Sequence, residues 1–230
     1  MSITLSKRLI QRQVINMSGL DVRAKIAKRI AEELEDGQVV NLGVGIPTLV
    51  ASFMEGKQVF LQSENGLVGM GPPPSEEELD IDLISAGKEP ITITESASFF
   101  SSADSFAMIR GGHIDVAVLG ILQVNMKGEI ANWAVPGQPI LGVGGAMDLV
   151  VGAKKVIGAA MLFAKDGQAK IVEKLTYPTS GIRQIDLLVT EYAAFSFDNG
   201  EVVVNELLGH LTVEDLQQLL GIPLRQEVTL

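Results

Sequence analysis

Apolar positions along the chain repeat first with the period of a helix, then in short unbroken runs of strand length. Val22, Ile26, Ile30 and Leu34 recur at four-residue spacing, with Ala27 and Ala31 beside them. That stripe predicts an amphipathic helix, with Asp21 placed to cap its start and Gly37 to end it. Val39–Leu42 follows as a short apolar strand, then the run Gly43-Val44-Gly45-Ile46-Pro47-Thr48. Pro47 suits the first turn of a second helix reaching about Met54. Val59–Gln62 predicts the next strand, halted by the polar turn Ser63-Glu64-Asn65-Gly66. Residues 69–90 carry Gly69, Gly71 and Pro72-Pro73-Pro74 and read as loop, with the acidic stretch 76–82 on a solvated face. A strand over 91–94, a helix over Ser102–Arg110 and a buried strand over Ile114–Leu119 come next.

Residues 125–145 read as a long irregular segment, the kind that often carries function. A short helix at Met147–Gly152 then leads into a strand at Val156–Met161. The last third reads as strands at Ala169–Val172, Ile185–Val189, Ala193–Phe197 and Val202–Asn205, and Thr212-Val213-Glu214-Asp215 opens a final helix to about Leu220. Early alternation of helix and strand predicts an α/β fold with an open, mainly parallel sheet flanked by helices. The later strands add a mixed edge. No repeat, linker or boundary divides the chain, so one domain is expected over 1–230.

Composition narrows the chemistry. Of 230 residues, 47% are apolar and 20% charged, enough for a sizeable core and too apolar for disorder. Cysteine is absent, which excludes disulfides, thiolate nucleophiles and Cys-based metal sites. Two histidines, His113 and His210, argue against a multi-His metal centre. The net charge of −10 is uneven: residues 1–29 hold seven bases and one acid, leaving 11 bases against 27 acids, or −16, beyond them. An acidic body argues against nucleic-acid binding. No run reaches the roughly 18 apolar residues of a membrane span. The basic start lacks the apolar core of a secretory signal, so a soluble cytoplasmic protein is expected.

Three features could carry chemistry. The Gly43-Val44-Gly45 turn follows a strand and opens a helix, as phosphate-binding turns do, yet position 48 is Thr48 rather than a third glycine and no Walker lysine follows. A tight backbone turn lining a site is the other reading. Glu64 lies just past a buried strand's carboxyl end, where open α/β sheets bind ligands; a surface turn carboxylate competes with that reading. Gly142-Val143-Gly144-Gly145 precedes a helix and could aim backbone N–H groups at an oxyanion, or be only a tight loop. His113 and Trp133 read as packing residues and His210 as surface. Ser101, Ser102 and Ser105 lack a nearby His–Asp arrangement.

Five motifs in order then carry a resemblance. They are Asn41-Leu42-Gly43-Val44-Gly45-Ile46-Pro47, Gln62-Ser63-Glu64-Asn65-Gly66, Ser105–His113, Ala131-Asn132-Trp133 and Gly142–Leu149. Together they resemble the beta subunit of family I CoA-transferases, and equally the C-terminal half of single-chain 3-oxoacid CoA-transferases, over about residues 20–225. The resemblance implies an open α/β sheet shared with sugar-phosphate isomerases, and Glu64 as a nucleophile that forms a glutamyl-CoA thioester by ping-pong catalysis. It implies an oxyanion hole at Gly144 and Gly145, and contacts to thioester or acyl group from Asn41, Gly43, Gly45, Ser63, Asn65 and Gly66. No metal or cofactor is implied, since coenzyme A is a substrate. The implied partner is an alpha subunit, in a heterotetramer of two alpha and two beta chains. The implied substrates are a short-chain acyl-CoA, such as succinyl-CoA or acetyl-CoA, and an acid such as acetoacetate. An acyl-CoA hydrolase using the same glutamate and a ligand-sensing module of the same fold are the competing readings. Leu162-Phe163 departs from the family's Glu-His pair, Tyr177-Pro178-Thr179-Ser180-Gly181 from its Leu-Pro-Leu-Thr-Gly, and residues 1–19 have no counterpart, reading as an N-terminal extension.

Overall fold

A computed structural model describes residues 19–140 and 142–227. In chain order the first strands are β1 (Val39–Leu42), β2 (Phe60–Ser63), β3 (Leu67–Met70), β4 (Ile93–Phe99), β5 (Val116–Gly120), β6 (Gln123–Asn125) and β7 (Ile130–Ala131). Then come β8 (Lys155–Ala159), β9 (Ile171–Val172), β10 (Leu187–Val189), β11 (Ala193–Asp198), β12 (Glu201–Leu207) and β13 (Leu224–Gln226). The helices are α1 (Gly19–Glu32), α2 (Ser102–Arg110), α3 (Ala146–Gly152) and α4 (Val213–Leu220), with a 3-10 helix at Pro47–Phe53.

Ten strands form one sheet in the order β13-β12-β11-β10-β8-β5-β1-β2-β3-β4, and β7-β6-β9 form a small second one. The middle five, β10-β8-β5-β1-β2, are parallel. Parallel strands are covered on both faces, and alternate side chains point to opposite faces. Val118 and Ile157 accordingly join Ile26 and Ile30 of α1, and Leu34 just beyond it, in one apolar cluster. Their neighbours Ala117, Leu119 and Val156 join Ile109 of α2 and Leu149 of α3 in the other. From β1 the chain moves outward through β2, β3 and β4, then returns by α2 to β5 on the opposite side of β1. The boundary between β1 and β5 is therefore the topological switch point, and the crevice at its carboxyl end is where such sheets bind ligands.

The α/β expectation holds, with local differences. Asp21 does not cap the first helix: α1 begins at Gly19 and Asp21 sits within its first turn. The second helix is 3-10, and no side chain caps its start. β3 and β13 are additional strands, and β4 runs to Phe99 rather than ending at residue 94. The segment 125–145 is not irregular throughout, because Ile130–Ala131 pairs with β6. Capping rules serve well elsewhere: Ser101 Oγ accepts the Asp104 N–H at 3.1 Å, and Thr212 and Asp215 form a reciprocal capping box on α4. The expected extension over 1–19 lies outside the described residues, apart from Gly19. Among the described residues, no helix is long and apolar enough to cross a membrane.

Candidate functional site

Val40 faces the α1 side of the sheet, so by strand alternation Asn41 faces α2. Asn41, Gln62 and Ser105 are each almost free of solvent contact. Polar groups there are costly unless paired, and they pair with one another. Gln62 Nε2 donates to Ser105 Oγ at 2.8 Å, and Asn41 Nδ2 donates to Gln62 Oε1 at 2.7 Å. The same Nδ2 donates to Glu64 Oε2 at 3.1 Å. A line of side chains thus runs from α2 across β2 to β1 and ends on the Glu64 carboxylate. Asn41 Oδ1 is buried and accepts no hydrogen bond from any described residue.

Glu64 sits at the tip of the hairpin between β2 and β3, where Gln62 pairs with Val68 and Ser63 with Leu67. The turn closes through Gly66, whose φ of +123° and contact with the Phe100 carbonyl oxygen leave no room for a side chain. Ser63 Oγ accepts the Ala86 N–H at 2.8 Å, and Asn65 Nδ2 donates to the Ile84 carbonyl at 2.8 Å. Both residues tie the 84–86 segment to the hairpin.

The start of α3 faces Glu64 across the crevice. A Cβ built on Gly145 would lie 3.3 Å from Glu64 Oε1 and 3.4 Å from the Phe106 ring, so glycine brings this backbone up to the carboxylate. The first N–H groups of a helix have no partner within it and favour negative charge nearby. The Arg110 guanidinium donates to Asp148 at 2.7 Å, fixing α3 against α2.

A cavity of about 450 Å³ opens at this point. Glu64, Asn41, Gly43, Gly45, Gly144 and Gly145 all line it, over the ends of β1, β5 and β8. Gly43 has its backbone committed: its N–H donates to the Val118 carbonyl at 2.9 Å and its carbonyl accepts Thr48 Oγ1 at 3.1 Å. Ser63, Asn65 and Gly66, expected as substrate contacts, adjoin Glu64 in the turn and are not among the residues lining this cavity. His113 is exposed rather than packed, because it follows the α2 end into solvent. Trp133 Nε1 donates to the Thr179 carbonyl at 3.1 Å, a packing role. Sequence reasoning passed over Gln62 and Ser105; the available signal was a glutamine inside a buried strand and a serine on the core side of α2. It also passed over Arg23 and Lys170, which line the same cavity. Another cavity, about 400 Å³, lies on the α1 side between Lys25, Glu191 and His210 and meets the first only at Met161.

The family described as Coenzyme A transferase matches residues 23–217. The chain is 48% identical over 197 residues to one of the subunits of the succinyl-CoA:3-ketoacid coenzyme A transferase of Helicobacter pylori, covering 86% of this chain and 95% of that protein. It is 48% identical over 189 residues to the beta subunit of the acetate CoA-transferase of Escherichia coli K12, covering 82% and 86% respectively. Among solved structures, an acyl-CoA transferase of Escherichia coli O157:H7 superposes with a TM-score of 0.72 at 22% identity. The match covers 92% of this chain and 43% of that longer one. That structural likeness bears on the fold alone.

Proposed function

The chain belongs to the coenzyme A transferase family, and from that premise we propose that it is the catalytic subunit of a transferase that works through Glu64. The observation that carries this is the Glu64 carboxylate at the switch-point cavity, oriented by Asn41 and faced by Gly145.

In the proposed cycle a Glu64 oxygen attacks the thioester carbonyl of the donor acyl-CoA. The C–S bond breaks, CoA leaves as thiolate, and an acyl-glutamyl anhydride remains. The thiolate then attacks the glutamyl carbonyl, expelling the donor acid as carboxylate and leaving a glutamyl-CoA thioester. An acceptor carboxylate attacks that thioester, and the same two exchanges run in reverse to release a new acyl-CoA and free Glu64. This is covalent ping-pong catalysis, and it moves no net proton. A carboxylate is a weak nucleophile in water, so holding it in a near-attack pose supplies much of the acceleration. The Asn41 bond does that holding. Each exchange passes through an oxyanion, and one preorganised N–H donor there is worth about 3 kcal/mol. The Gly144–Gly145 segment is the proposed donor, since Glu64 Oε1 lies on its side of the crevice.

Both of these bacterial relatives are named as single subunits of larger enzymes. The same kind of assembly is proposed here, with an alpha subunit in a heterotetramer of two alpha and two beta chains. Charge supports a partner: CoA is strongly anionic, while the body beyond residue 29 carries −16. The proposed donors are short-chain thioesters such as succinyl-CoA or acetyl-CoA, with an acid such as acetoacetate as acceptor. The test is CoA exchange by the chain purified with its alpha subunit. Glu64→Ala is expected to abolish exchange and Glu64→Asp nearly so, because the carboxylate retreats by one methylene. Borohydride is expected to cleave the glutamyl-CoA thioester in wild type only. Wild-type exchange by Glu64→Ala sinks the mechanism, and full activity of the isolated chain sinks the partner.

A further inference from the structure

Lys170 is a half-buried cation in the wall of the Glu64 cavity that the cycle above does not use. Its backbone is fixed on both sides, its N–H donating to the Leu162 carbonyl at 2.9 Å and its carbonyl accepting the Val124 N–H at 2.8 Å. Nζ donates to the Ile121 carbonyl at 3.0 Å. An ammonium has three donors, so two remain for other acceptors. Lys170 forms no ion pair with any described carboxylate. The nearest acid in effect is Glu191, itself half-buried, which spends one acceptor site on the Leu162 N–H at 2.8 Å. Leu162 separates the two and is fully buried, so the Leu162-Phe163 pair brings no charge to Lys170.

Desolvation pushes the Lys170 ammonium below its ordinary range, with Glu191 opposing and Arg23 adding to the shift. Desolvation likewise pushes the Glu191 carboxyl up. Arg23 lines the same cavity from the first turns of α1. Two cations therefore share the wall of one cavity, in a body that is otherwise acidic. A half-buried ammonium with an exposed guanidinium on the same cavity rim favours an anion between them. Ile121, which anchors Lys170, lies just past β5, across the switch point from the β1 residue that holds Glu64.

We propose that Lys170 and Arg23 form an anion subsite of this cavity, which takes a charged group that the substrate carries away from its reacting carbonyl. The proposal rests on the reading of Glu64 as the site of CoA transfer. The shared chemistry is a phosphate or carboxylate oxygen accepting from an ammonium and a guanidinium. Its source is either the distal carboxylate of a dicarboxylic acyl group or a phosphate of CoA.

The experiment uses the chain with its alpha subunit, as wild type, Lys170→Met, Lys170→Arg and Arg23→Gln. Calorimetric binding is measured for succinate against acetate, and for CoA against phosphate-free pantetheine. Exchange kinetics are run on the same preparations. A distal-carboxylate subsite predicts that Lys170→Met lowers the succinate-to-acetate affinity ratio by about 10- to 100-fold, the worth of one charge-assisted hydrogen bond. A CoA-phosphate subsite predicts the same loss in the CoA-to-pantetheine ratio instead. In either case Lys170→Arg retains most of the ratio and Arg23→Gln, on the exposed rim, shifts it in the same direction by less. Both ratios unchanged within about twofold overturn the subsite. Binding needs no turnover, so a wild-type complex that transfers nothing refutes the transferase reading while the ratios still decide the subsite. If Lys170→Met does not fold, Arg23→Gln decides alone.

Discussion

Asn41→Leu separates catalysis from stability more cleanly than any other change in the site. Asn41 Nδ2 donates to Glu64 at 3.1 Å and to Gln62 at 2.7 Å, while its buried Oδ1 has no partner among the described residues. Leucine has the same branched heavy-atom outline and is the larger of the two, so no cavity opens. Losing the bond to Gln62 strands the Gln62 Oε1, a cost of about 1–3 kcal/mol. Deleting the unpartnered Oδ1 removes a penalty of the same size, about 1–3 kcal/mol. The two offset, and stability is expected to stay within about 1 kcal/mol, a melting shift of about 2–4 °C for a chain of this size. Catalysis has no such offset. A hydrogen bond to a charged group is worth about 1.5–3 kcal/mol, so losing the bond that orients the nucleophile is expected to lower kcat by about 10- to 150-fold. The assay is steady-state CoA exchange by the complex with its alpha subunit, alongside a thermal melt of the same preparation. A melting point lower by about 8 °C or more, with kcat per folded molecule unchanged, refutes the reasoning and makes Asn41 a structural residue.

Gly145→Ala is expected to lower kcat by about 10- to 100-fold, because displacing reacting groups by fractions of an ångström is that costly. The new methyl stands 3.3 Å from Glu64 Oε1 and 3.4 Å from the Phe106 ring, so Glu64 must give way. An unchanged kcat would mean that the start of α3 does not set the pose of Glu64. Acid sensitivity is expected to centre partly on Glu33, which accepts from Arg29 at 2.8 Å and Lys155 at 2.6 Å and so joins α1 to β8. Burial alone would raise its pKa, but the bonds to Lys155 and Arg29 outweigh that and hold the carboxyl below its ordinary 4.5. A depressed pKa stabilises the fold above the unfolded value and ceases to as the pH falls through the folded one. Melts run from neutral pH to below 4.5 should therefore lose stability in the acid limb, and Glu33→Gln should flatten that limb. An identical acid limb in the variant would show that other carboxylates set it.

The parts of the fold legible in the sequence are those whose cause is local. The four-residue stripe of α1 and the Thr212 capping box each follow from side chains a few residues apart. What eluded sequence reasoning depends on distant partners. β13 is a three-residue strand that exists because Val202–Val204 offers it an edge. β3 exists because the Glu64 turn is a hairpin, which the glycines at 69 and 71 obscured. Asp21 fits the pattern of a cap, but the helix continues upstream of it to Gly19.

The candidate site divides along the same line. Glu64 and the glycines announce themselves, one by its place after a buried strand and the others by the conformations they permit. Gln62 and Ser105 do not, because what matters about them is burial, and Lys170 does not, because what matters about it is the cavity that β5 and the strand at Ile171 bring it to. Their chemistry explains why a polar line is kept in an otherwise apolar interior. An all-apolar line across β2 and β1 would fold at least as well, since pairing buried polar groups only recovers what burying them costs. It would leave Glu64 free to swing at the tip of its hairpin. A chain without cysteine and with both histidines exposed has few ways to fix a nucleophile, and a line of amides rooted in α2 is one of them.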